Sequence, residues 1–356
     1  MQWWRMCLMS LENAVWDTPL FRQSVAAIPE GSEVLLAGSA RAIASALRDS
    51  RLKRLRVRGL KAVGTGGRAT LHFRDSKIPV VFCGSPHKRW FNGPSEAIAR
   101  CFWLDGLSEW RQSKGRADSQ YLESHIDALS SVYSQLEDDA SRLSYAACVR
   151  ARVSCDAGFY RTAPYPEYFH PLAQARPGNV VIDVGAYTGG SAIAFRRAVS
   201  RKGSVIAMEP SPTNFKRLKL TKLLGIHPVC AGASDVRMQS RLREAGGSST
   251  LGAEGTEVEL LPIDYLVTSM RLPTVDLIKY DVEGHEMPAL LGAKETLERF
   301  RPIIQLSIYH HARDLFELPL WVMRNIDNYA FYVSHHNCYH TGTDLYAVPR
   351  ERLGQV

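Results

Sequence analysis

The stretch from Val180 to Gly190 constrains the fold of this 356-residue chain more than any other. Its sequence, VVIDVGAYTGG, is an apolar strand that ends in an acid and a valine and opens into a glycine-rich turn before a helical segment. This order is typical of parallel α/β sheets that bind a ligand at the turn. The GxxxG spacing differs from the GxGxxG that cradles a pyrophosphate, so we predict a ligand without phosphate at this point.

This strand is the first of several strand-like segments that alternate with helical stretches. In chain order, the strand-like segments are VVIDVG, SVIAMEP, HPVCAGASD, VDLIKYDVEG and PIIQLSIYHH. This alternation predicts a doubly wound, mostly parallel sheet over residues 178–356. The last two strand segments, YAFYVSHH and DLYAVP, are joined by a short turn-rich connection, and we expect them to close the sheet edge as an antiparallel hairpin.

The first part of the chain carries a second, smaller alternation of strands and helices. EVLLAG, RLRVRG and IPVVFCG are strand-like, whereas RAIASALRDS and PSEAIARCFWLDGLSEW are helix-like. A chain of this length exceeds one typical core, so a smaller N-terminal α/β accessory domain is predicted over residues 1–115. The segment Gly38–Ala42 resembles a nucleotide-binding loop but lacks further glycines, which favours a degenerate accessory domain over a second nucleotide site.

Residues 116–177 are predicted to be a helical connector followed by a linker. Apolar residues recur at helical spacing from Leu122 to Ala147, and we expect this stripe to pack on one of the domains, with a dimer seam as the alternative. The proline-rich segment 156–177 is not compatible with a continuous helix and is predicted to be a linker. The stretch 243–257, rich in glycine and serine, is predicted to be flexible.

Three acids follow successive strands of the larger sheet. Asp183 precedes the glycine turn, Glu209 closes the next strand 26 residues later, and Asp235 follows the third. A carboxylate at the position of Glu209 can accept hydrogen bonds from both hydroxyls of a ribose. Asp235 could receive an adenine amino group, although a helix cap or a solvated loop explains it equally well. Together the acids indicate a nucleoside ligand without phosphates.

Residues 179–349 resemble the FkbM family of methyltransferases. The resemblance is carried, in the family's order, by IDVGAYTGG, AMEPSPTNFKRLK, GASD, LIKYDVEGHE, LLGAKETLERFRPIIQLSIYHH and DLYAVP. The most specific element is KYDVEGHE at 279–286, and the upstream YRTAPYPEYFHP resembles the approach segment of members with an extra N-terminal domain. The resemblance implies a class I, Rossmann-like methyltransferase sheet that binds S-adenosylmethionine.

The same resemblance assigns the cofactor site to the first strand-end turns of this sheet. The predicted cofactor-binding residues are Asp183, Gly185, Ala186, Tyr187, Thr188, Gly189, Glu209, Pro210, Ser211 and Asp235. Asp281 lies at the carboxyl end of the fourth strand, a position from which residues in open α/β sheets reach a bound ligand. It is therefore the first predicted catalytic residue.

Methyl transfer from a sulfonium needs alignment of the acceptor and a base that removes its proton. The predicted catalytic residues are Asp281, Glu283, His285 and His310, and the histidines are included because imidazole titrates near neutral pH. Glu283 and Glu286 could equally cap the helix that follows. The pairs His310–His311 and His335–His336 also suggest a metal, but they lack ligand spacing, so no metal is predicted.

These observations predict an S-adenosylmethionine-dependent methyltransferase that O-methylates a hydroxyl of a sugar or natural product. The net charge of +8 leaves open an enzyme for RNA or another polyanion, and a non-catalytic scaffold is the third alternative. Nucleic acid is not the favoured partner, because the basic run at 51–61 lacks interleaved aromatic residues. A homo-oligomer is possible.

The predicted compartment is the cytoplasm. Seven scattered cysteines without CxxC spacing argue against a disulfide framework. The N-terminal stretch carries charges and lacks a cleavage site for a signal peptide, and no later run is long and apolar enough to span a membrane.

Overall fold

The computed structural model describes most of the chain from residue 116 onward and shorter parts of the region before it. The described residues are 28–38, 43–44, 47–48, 52–62, 80–83, 101–104, 116–154, 159–245, 248–252, 254–337 and 340–355. Gly38 is among them, but Ser39 to Ala42, on which the nucleotide-loop hypothesis rests, lie outside. Among the described helices, none has the length and apolar composition that crossing a bilayer requires.

Two compact units make up the chain, and each draws on several stretches of sequence. The first unit comprises Met1–His125, Leu143–Thr162 and His336–Thr341, and the second comprises Ile126–Arg142, Ala163–His335 and Gly342–Val356. The units therefore interleave along the chain, whereas the division predicted from sequence is contiguous. Ile126–Arg142, predicted as part of a connector, groups with the larger unit.

The first unit contains a parallel sheet of four strands. These are β1 (Glu33–Gly38), β2 (Arg56–Ala62), β3 (Val80–Cys83) and β4 (Cys101–Leu104), in the order β2-β1-β3-β4. Strand β4 lies inside the segment predicted to be helical, and that prediction is wrong for residues 101–104. The run CFWL is short and wholly apolar, which suits a strand that pairs in parallel with β3.

The predicted helical stripe is divided among three helices. They are α1 (Arg116–Ser124), α2 (Ile126–Gln135) and α3 (Asp139–Ser154). The break before α3 has a local cause, since the Asp138 carboxylate accepts a hydrogen bond from the Ser141 amide at 2.7 Å, as a helix cap does. Leu122, Leu129 and Leu136 of the stripe are buried within the chain, as expected for intrachain packing.

The described residues of the second unit form eleven strands in two sheets. In chain order the strands are β5 (Val180–Val184), β6 (Ser204–Met208), β7 (Ile226–Val229), β8 (Gly232–Ala233), β9 (Met238–Ala245), β10 (Ser248–Gly252), β11 (Thr256–Leu261), β12 (Leu277–Tyr280), β13 (Ile303–Ser307), β14 (Tyr329–His335) and β15 (Thr343–Pro349). The larger sheet has the order β14-β15-β13-β12-β5-β6-β7. Its central strands are parallel, and β15 pairs antiparallel with both β13 and β14. The predicted α/β sheet is thus confirmed.

Helices connect the strands of the larger sheet. They are α4 (Gly190–Val199), α5 (Pro212–Leu218), α6 (Ile263–Ser269), α7 (Glu286–Leu291), α8 (Lys294–Phe300) and α9 (Glu317–Asn325), with 3₁₀ turns at Lys219–Leu224, Ala312–Leu315 and Arg350–Gln355. Strands β5 and β12 are buried along their whole length, as parallel strands covered on both faces should be. Phe195 of α4 belongs to the core cluster on this sheet.

The smaller sheet of the second unit has the order β10-β9-β11-β8. The prediction of a flexible stretch at 243–257 is wrong for its described residues, because β9 and β10 form an antiparallel hairpin there. Leu242, Leu251, Val258 and Leu260 pack together and stabilise the hairpin, a cluster that the intervening glycines and serines obscure in the sequence.

The proline-rich stretch 159–177 is not helical, as predicted, but it is more than a linker. Tyr168 and Ala173 belong to the core of the larger sheet. The buried Gln305 side chain on β13 donates hydrogen bonds to the carbonyls of both residues, each at 2.7 Å. These contacts hold the stretch against the sheet.

Candidate functional site

A cavity of about 240 Å³ opens at the carboxyl ends of β5, β6 and β12. This is the edge at which open parallel sheets bind ligands. The smaller sheet contributes an apolar wall of three leucines, and strand-end turns contribute the acids. The lining residues are Gly185, Tyr187, Glu209, Pro210, Asn214, Gly232, Ala233, Leu242, Leu251, Leu260, Asp281, Val282, Glu283 and His285.

The glycine turn after β5 is shaped by the neighbouring strand as well as by the cavity. Gly185 has φ +80°, and a Cβ atom there would lie 1.9 Å from the Asp281 carbonyl oxygen. Gly189 has φ +96° and precedes α4. These conformations and the close approach require glycine. The backbone of Asp281 therefore excludes a side chain at Gly185, whether or not a ligand occupies the cavity.

Asp183 does not line the cavity, although the sequence predicts it as a ligand-binding acid. Its side chain is fully buried, lies 3.1 Å from Lys279 Nζ and accepts a hydrogen bond from Ser191 Oγ at 2.6 Å. Lys279 also donates to the Gly185 carbonyl at 2.8 Å. Burial lowers the pKa of Lys279, but the charges of Asp183 and Asp281 outweigh it, so that the net shift is upward. Asp183 therefore neutralises a buried cation.

Glu209 lines the cavity. Its carboxylate accepts hydrogen bonds from the Ser211 amide at 2.9 Å and the Asn214 side chain at 3.3 Å on Oε1, and from the Tyr187 amide at 2.9 Å on Oε2. Burial raises the pKa of Glu209 despite these donors. A carboxylate has about four acceptor positions. Donors among the described residues take three of them, which leaves one on Oε2.

Asn214 was not predicted from the sequence as a site residue. It lies in the first turn of α5, lines the cavity and orients Glu209. The signal that could have revealed it is its spacing, because a polar residue five positions after a strand-end acid can turn back toward that acid from the next helix.

Asp281 lines the cavity and its carboxylate is held on both oxygens. Tyr168 donates to Oδ2 at 2.9 Å and Tyr309 donates to Oδ1 at 3.0 Å. His310 Nε2 lies 3.4 Å from Oδ1, and Lys279 Nζ lies 3.9 Å from Oδ2. Burial raises the pKa of Asp281, but the cations and hydroxyl donors outweigh it and leave the pKa below its ordinary value. Asp281 is thus a fixed negative charge and a weak base.

His310 lies among three carboxylates. Its Nδ1 is 3.0 Å from Glu286 Oε1, and its Nε2 is 3.4 Å from Asp281 Oδ1 and 3.7 Å from Glu283 Oε2. Burial lowers the pKa of His310, yet these acids raise it to about 9. The ring is therefore a cation at neutral pH, and in that state it has no free lone pair with which to accept a proton.

Glu283 and His285 both face the cavity from the turn before α7. Glu283 has φ +56°, a conformation that is uncommon for residues other than glycine. Burial raises the pKa of Glu283. Burial also lowers the pKa of His285, whose Nε2 lies 3.3 Å from Ser234 Oγ. The Glu286 carboxylate, in contrast, accepts a hydrogen bond from the Val282 amide at 2.9 Å and so stabilises the turn.

Asp281, Glu286 and His310 each bring a ligand-capable atom to within 4.8 Å of the others. The two carboxylates nevertheless approach opposite nitrogens of the imidazole ring. One ion cannot lie on the lone pairs of both nitrogens. The arrangement suits a doubly protonated imidazolium between two acids better than a metal ion.

Most of the other residues considered in the sequence lie outside the lining of this cavity. Ser211 caps α5, because its hydroxyl accepts a hydrogen bond from the Asn214 amide at 3.1 Å. Asp235 is an exposed loop residue whose carboxylate accepts a hydrogen bond from the Ser234 hydroxyl. His311 caps a 3₁₀ turn with Asp314, and His335 is buried beside Thr343. Pro210 and Tyr187 do line the cavity. Ala186, Thr188, Gly189 and His336 do not.

Known proteins resemble this chain in its second half and in its fold. Residues 183–331 match the family model described as the Methyltransferase FkbM domain. The hexuronic acid methyltransferase AglP of Haloferax volcanii is 28% identical over 141 residues, which cover 37% of this chain and 57% of AglP. The chain thus matches less than two thirds of that relative.

A solved structure described as methyltransferase FkbM from Methylobacillus flagellatus KT superposes with a TM-score of 0.62. It is 19% identical and covers 97% of this chain and 99% of its own. This similarity shows that the two chains share a fold.

Proposed function

We propose that this chain, whose residues 183–331 form an FkbM methyltransferase domain, methylates a hydroxyl of a sugar or natural product with S-adenosylmethionine as donor. The observation that carries the proposal is the acid-lined cavity at the carboxyl ends of β5, β6 and β12. Glu209, Asp281 and Glu283 face it, and none of its lining residues, all of them described, is lysine or arginine. A lining that carries carboxylates and no lysine or arginine favours a cationic ligand.

The residues of the cavity fit a nucleoside that carries a sulfonium. Glu209 keeps one acceptor position on Oε2 that suits a ribose hydroxyl. S-adenosylmethionine, when bound, supplies the methyl group from its positively charged sulfur. Asp281 and Glu283 add further carboxylates to the lining. Pro210 and Leu260 offer apolar contacts for a base.

Glu283 is the proposed general base for the acceptor hydroxyl. Its raised pKa makes it a stronger base than Asp281, whose pKa is lowered by four surrounding groups. Its side chain is 39% exposed, so an acceptor can reach it. When the acceptor oxygen takes the methyl group, its proton passes to the Glu283 carboxylate, and the nearby imidazolium of His310 stays a cation.

A small sugar acceptor fits the acid-lined cavity better than a polyanion does. The net charge of +8 belongs to the whole chain, whereas the cavity itself is acidic. AglP is described as acting on a hexuronic acid, which supports a sugar acceptor here. A sugar hydroxyl with an apolar ring face can lie against the leucine wall, and a phosphate backbone would be repelled by the acids.

Calorimetric titration with S-adenosylhomocysteine, with NAD as comparison, tests the cofactor assignment. One-site binding of S-adenosylhomocysteine alone supports it, and binding of NAD alone contradicts it. Methyl transfer from radiolabelled S-adenosylmethionine is then measured on neutral hexosides, hexuronides and RNA at two salt concentrations. Turnover of RNA that falls steeply with salt would favour the polyanion alternative.

A further inference from the structure

Tyr168 lies outside the FkbM domain and yet contacts its central acid. It belongs to the non-helical stretch 159–177, and its side chain is buried in the core of the larger sheet. Its φ is +66°, in the left-handed region that is costly for an aromatic residue. Strained residues of this kind persist where surrounding contacts hold them, and they cluster at functional sites.

Contacts to its backbone, ring and hydroxyl hold Tyr168 in this conformation. Gln305 donates a hydrogen bond to its carbonyl at 2.7 Å, and the ammonium of Lys279 lies 5.3 Å from the centre of its ring. Its hydroxyl donates to Asp281 Oδ2 at 2.9 Å. Burial raises the pKa of Tyr168 well above its usual range, so that the hydroxyl keeps its proton and stays a donor.

The Asp281 carboxylate depends on this hydroxyl for its orientation. Tyr168 and Tyr309 donate to opposite oxygens, and two donors on two oxygens prevent the group from turning. Without Tyr168, the remaining close group at Oδ2 would be Lys279 at 3.9 Å, which is too far for a hydrogen bond. The charge that Asp281 presents to the cavity would then lose its fixed direction.

We propose that Tyr168 is a positioning residue that fixes the Asp281 carboxylate toward the sulfonium of the methyl donor. This inference rests on the proposed function, because it requires S-adenosylmethionine in the cavity. It also assigns to the stretch before the family domain a part in the site, so that residues 183–331 alone do not complete it.

The test compares the affinities of the full chain for S-adenosylmethionine and S-adenosylhomocysteine, which differ in the charge on sulfur. Both dissociation constants are measured by calorimetry for the wild type, Tyr168→Phe, Tyr309→Phe and Asp281→Asn. The matched control is Tyr165→Phe, the same change in the same stretch at a residue whose hydroxyl bonds to Ser334 instead. Thermal unfolding checks that each variant is folded.

Asp281→Asn should reduce the preference for the sulfonium about tenfold, and Tyr168→Phe should reduce it about fivefold, as expected for a lost hydrogen bond to a charged group. Tyr309→Phe should act in the same direction, and Tyr165→Phe should leave the preference unchanged.

An unchanged preference in Tyr168→Phe, or an equal loss for both ligands, would show a merely structural role and overturn the proposal. So would an unchanged preference in Asp281→Asn. A wild type that binds neither ligand would instead overturn the proposed function itself. If Tyr168→Phe does not fold, Tyr309→Phe decides whether hydroxyl donors on Asp281 set the preference.

Discussion

Asp183 and Asp281 lie near the ends of neighbouring parallel strands and share the same lysine, but they serve different purposes. Asp183 is paired in register with Lys279 on β12, and its side chain is fully buried. Asp281 is two residues beyond Lys279, past the end of β12, and its side chain is 24% exposed in the cavity. A shift of two residues along the strand thus separates an acid that stabilises the sheet from one that faces a ligand.

The largest expected effect concerns Asp183, the buried acid of the two. Lys279→Met leaves the Asp183 carboxylate buried without its cation, and we expect the free energy of unfolding to fall by about 3–5 kcal/mol. Urea denaturation measures it. The exposed Lys202→Met is the control, for which a change below about 0.5 kcal/mol is expected. A small loss in Lys279→Met would mean that Asp183 is not stabilised by this pair.

The next effect concerns Glu283, which lines the cavity together with Asp281. Glu283→Gln removes the proposed base, and we expect turnover to fall by about 100-fold or more while binding of S-adenosylhomocysteine is retained. In the wild type, turnover should decrease as the pH falls through the raised pKa of Glu283, because protonation removes the base. Exposed Glu254→Gln serves as the control in the same assay. If Glu283→Gln keeps its activity, His285 becomes the better candidate.

A pH dependence of stability tests the imidazolium beside Asp281. The pKa of His310 is raised from 6.5 to about 9 by its acidic neighbours. Its contribution to stability is therefore fully present below pH 6.5 and is lost as the pH rises to about 9, with a slope of roughly 1.4 kcal/mol per pH unit between these values. Denaturation at pH values on the order of 6, 7.5 and 9.5 should show this slope, and His310→Gln should remove it. Exposed His227→Gln should keep it.

The smallest expected effect concerns Glu209. Asn214→Ala removes one of its three donors, at 3.3 Å, and we expect the affinity for S-adenosylhomocysteine to fall about fivefold. Calorimetry measures it, with Asn325→Ala at the end of α9 as the control. An affinity equal to that of the wild type would indicate that the two amide donors suffice to orient Glu209.

The sequence predicted the features whose signals are local. The glycine turn, Glu209 and Asp281 are recognisable from a few adjacent residues, and the structure brings Gly185, Glu209 and Asp281 into one cavity lining. The pairing of Asp183 with Lys279 was not predicted, because the two residues are distant in sequence and become neighbours only when β5 and β12 pair.

Two further features escaped prediction for related reasons. Prolines in 159–177 indicate the absence of a helix but not the contact between Tyr168 and Asp281, which spans 113 residues. Glycines and serines led to the prediction of a flexible stretch at 243–257, and they conceal the leucines that stabilise the hairpin of β9 and β10.

Gly185 has a consequence for how the site can tolerate change. The Gly185 amide donates a hydrogen bond to the carbonyl of Met208, the residue before Glu209, and the Asp281 carbonyl lies so close to Gly185 that no side chain has room. A methyl group added at Gly185 would push apart the segments that carry Glu209 and Asp281. Such a change would lower the affinity for the methyl donor and the rate of methyl transfer at the same time. Gly185 therefore sets how closely the ends of β5 and β12 approach each other.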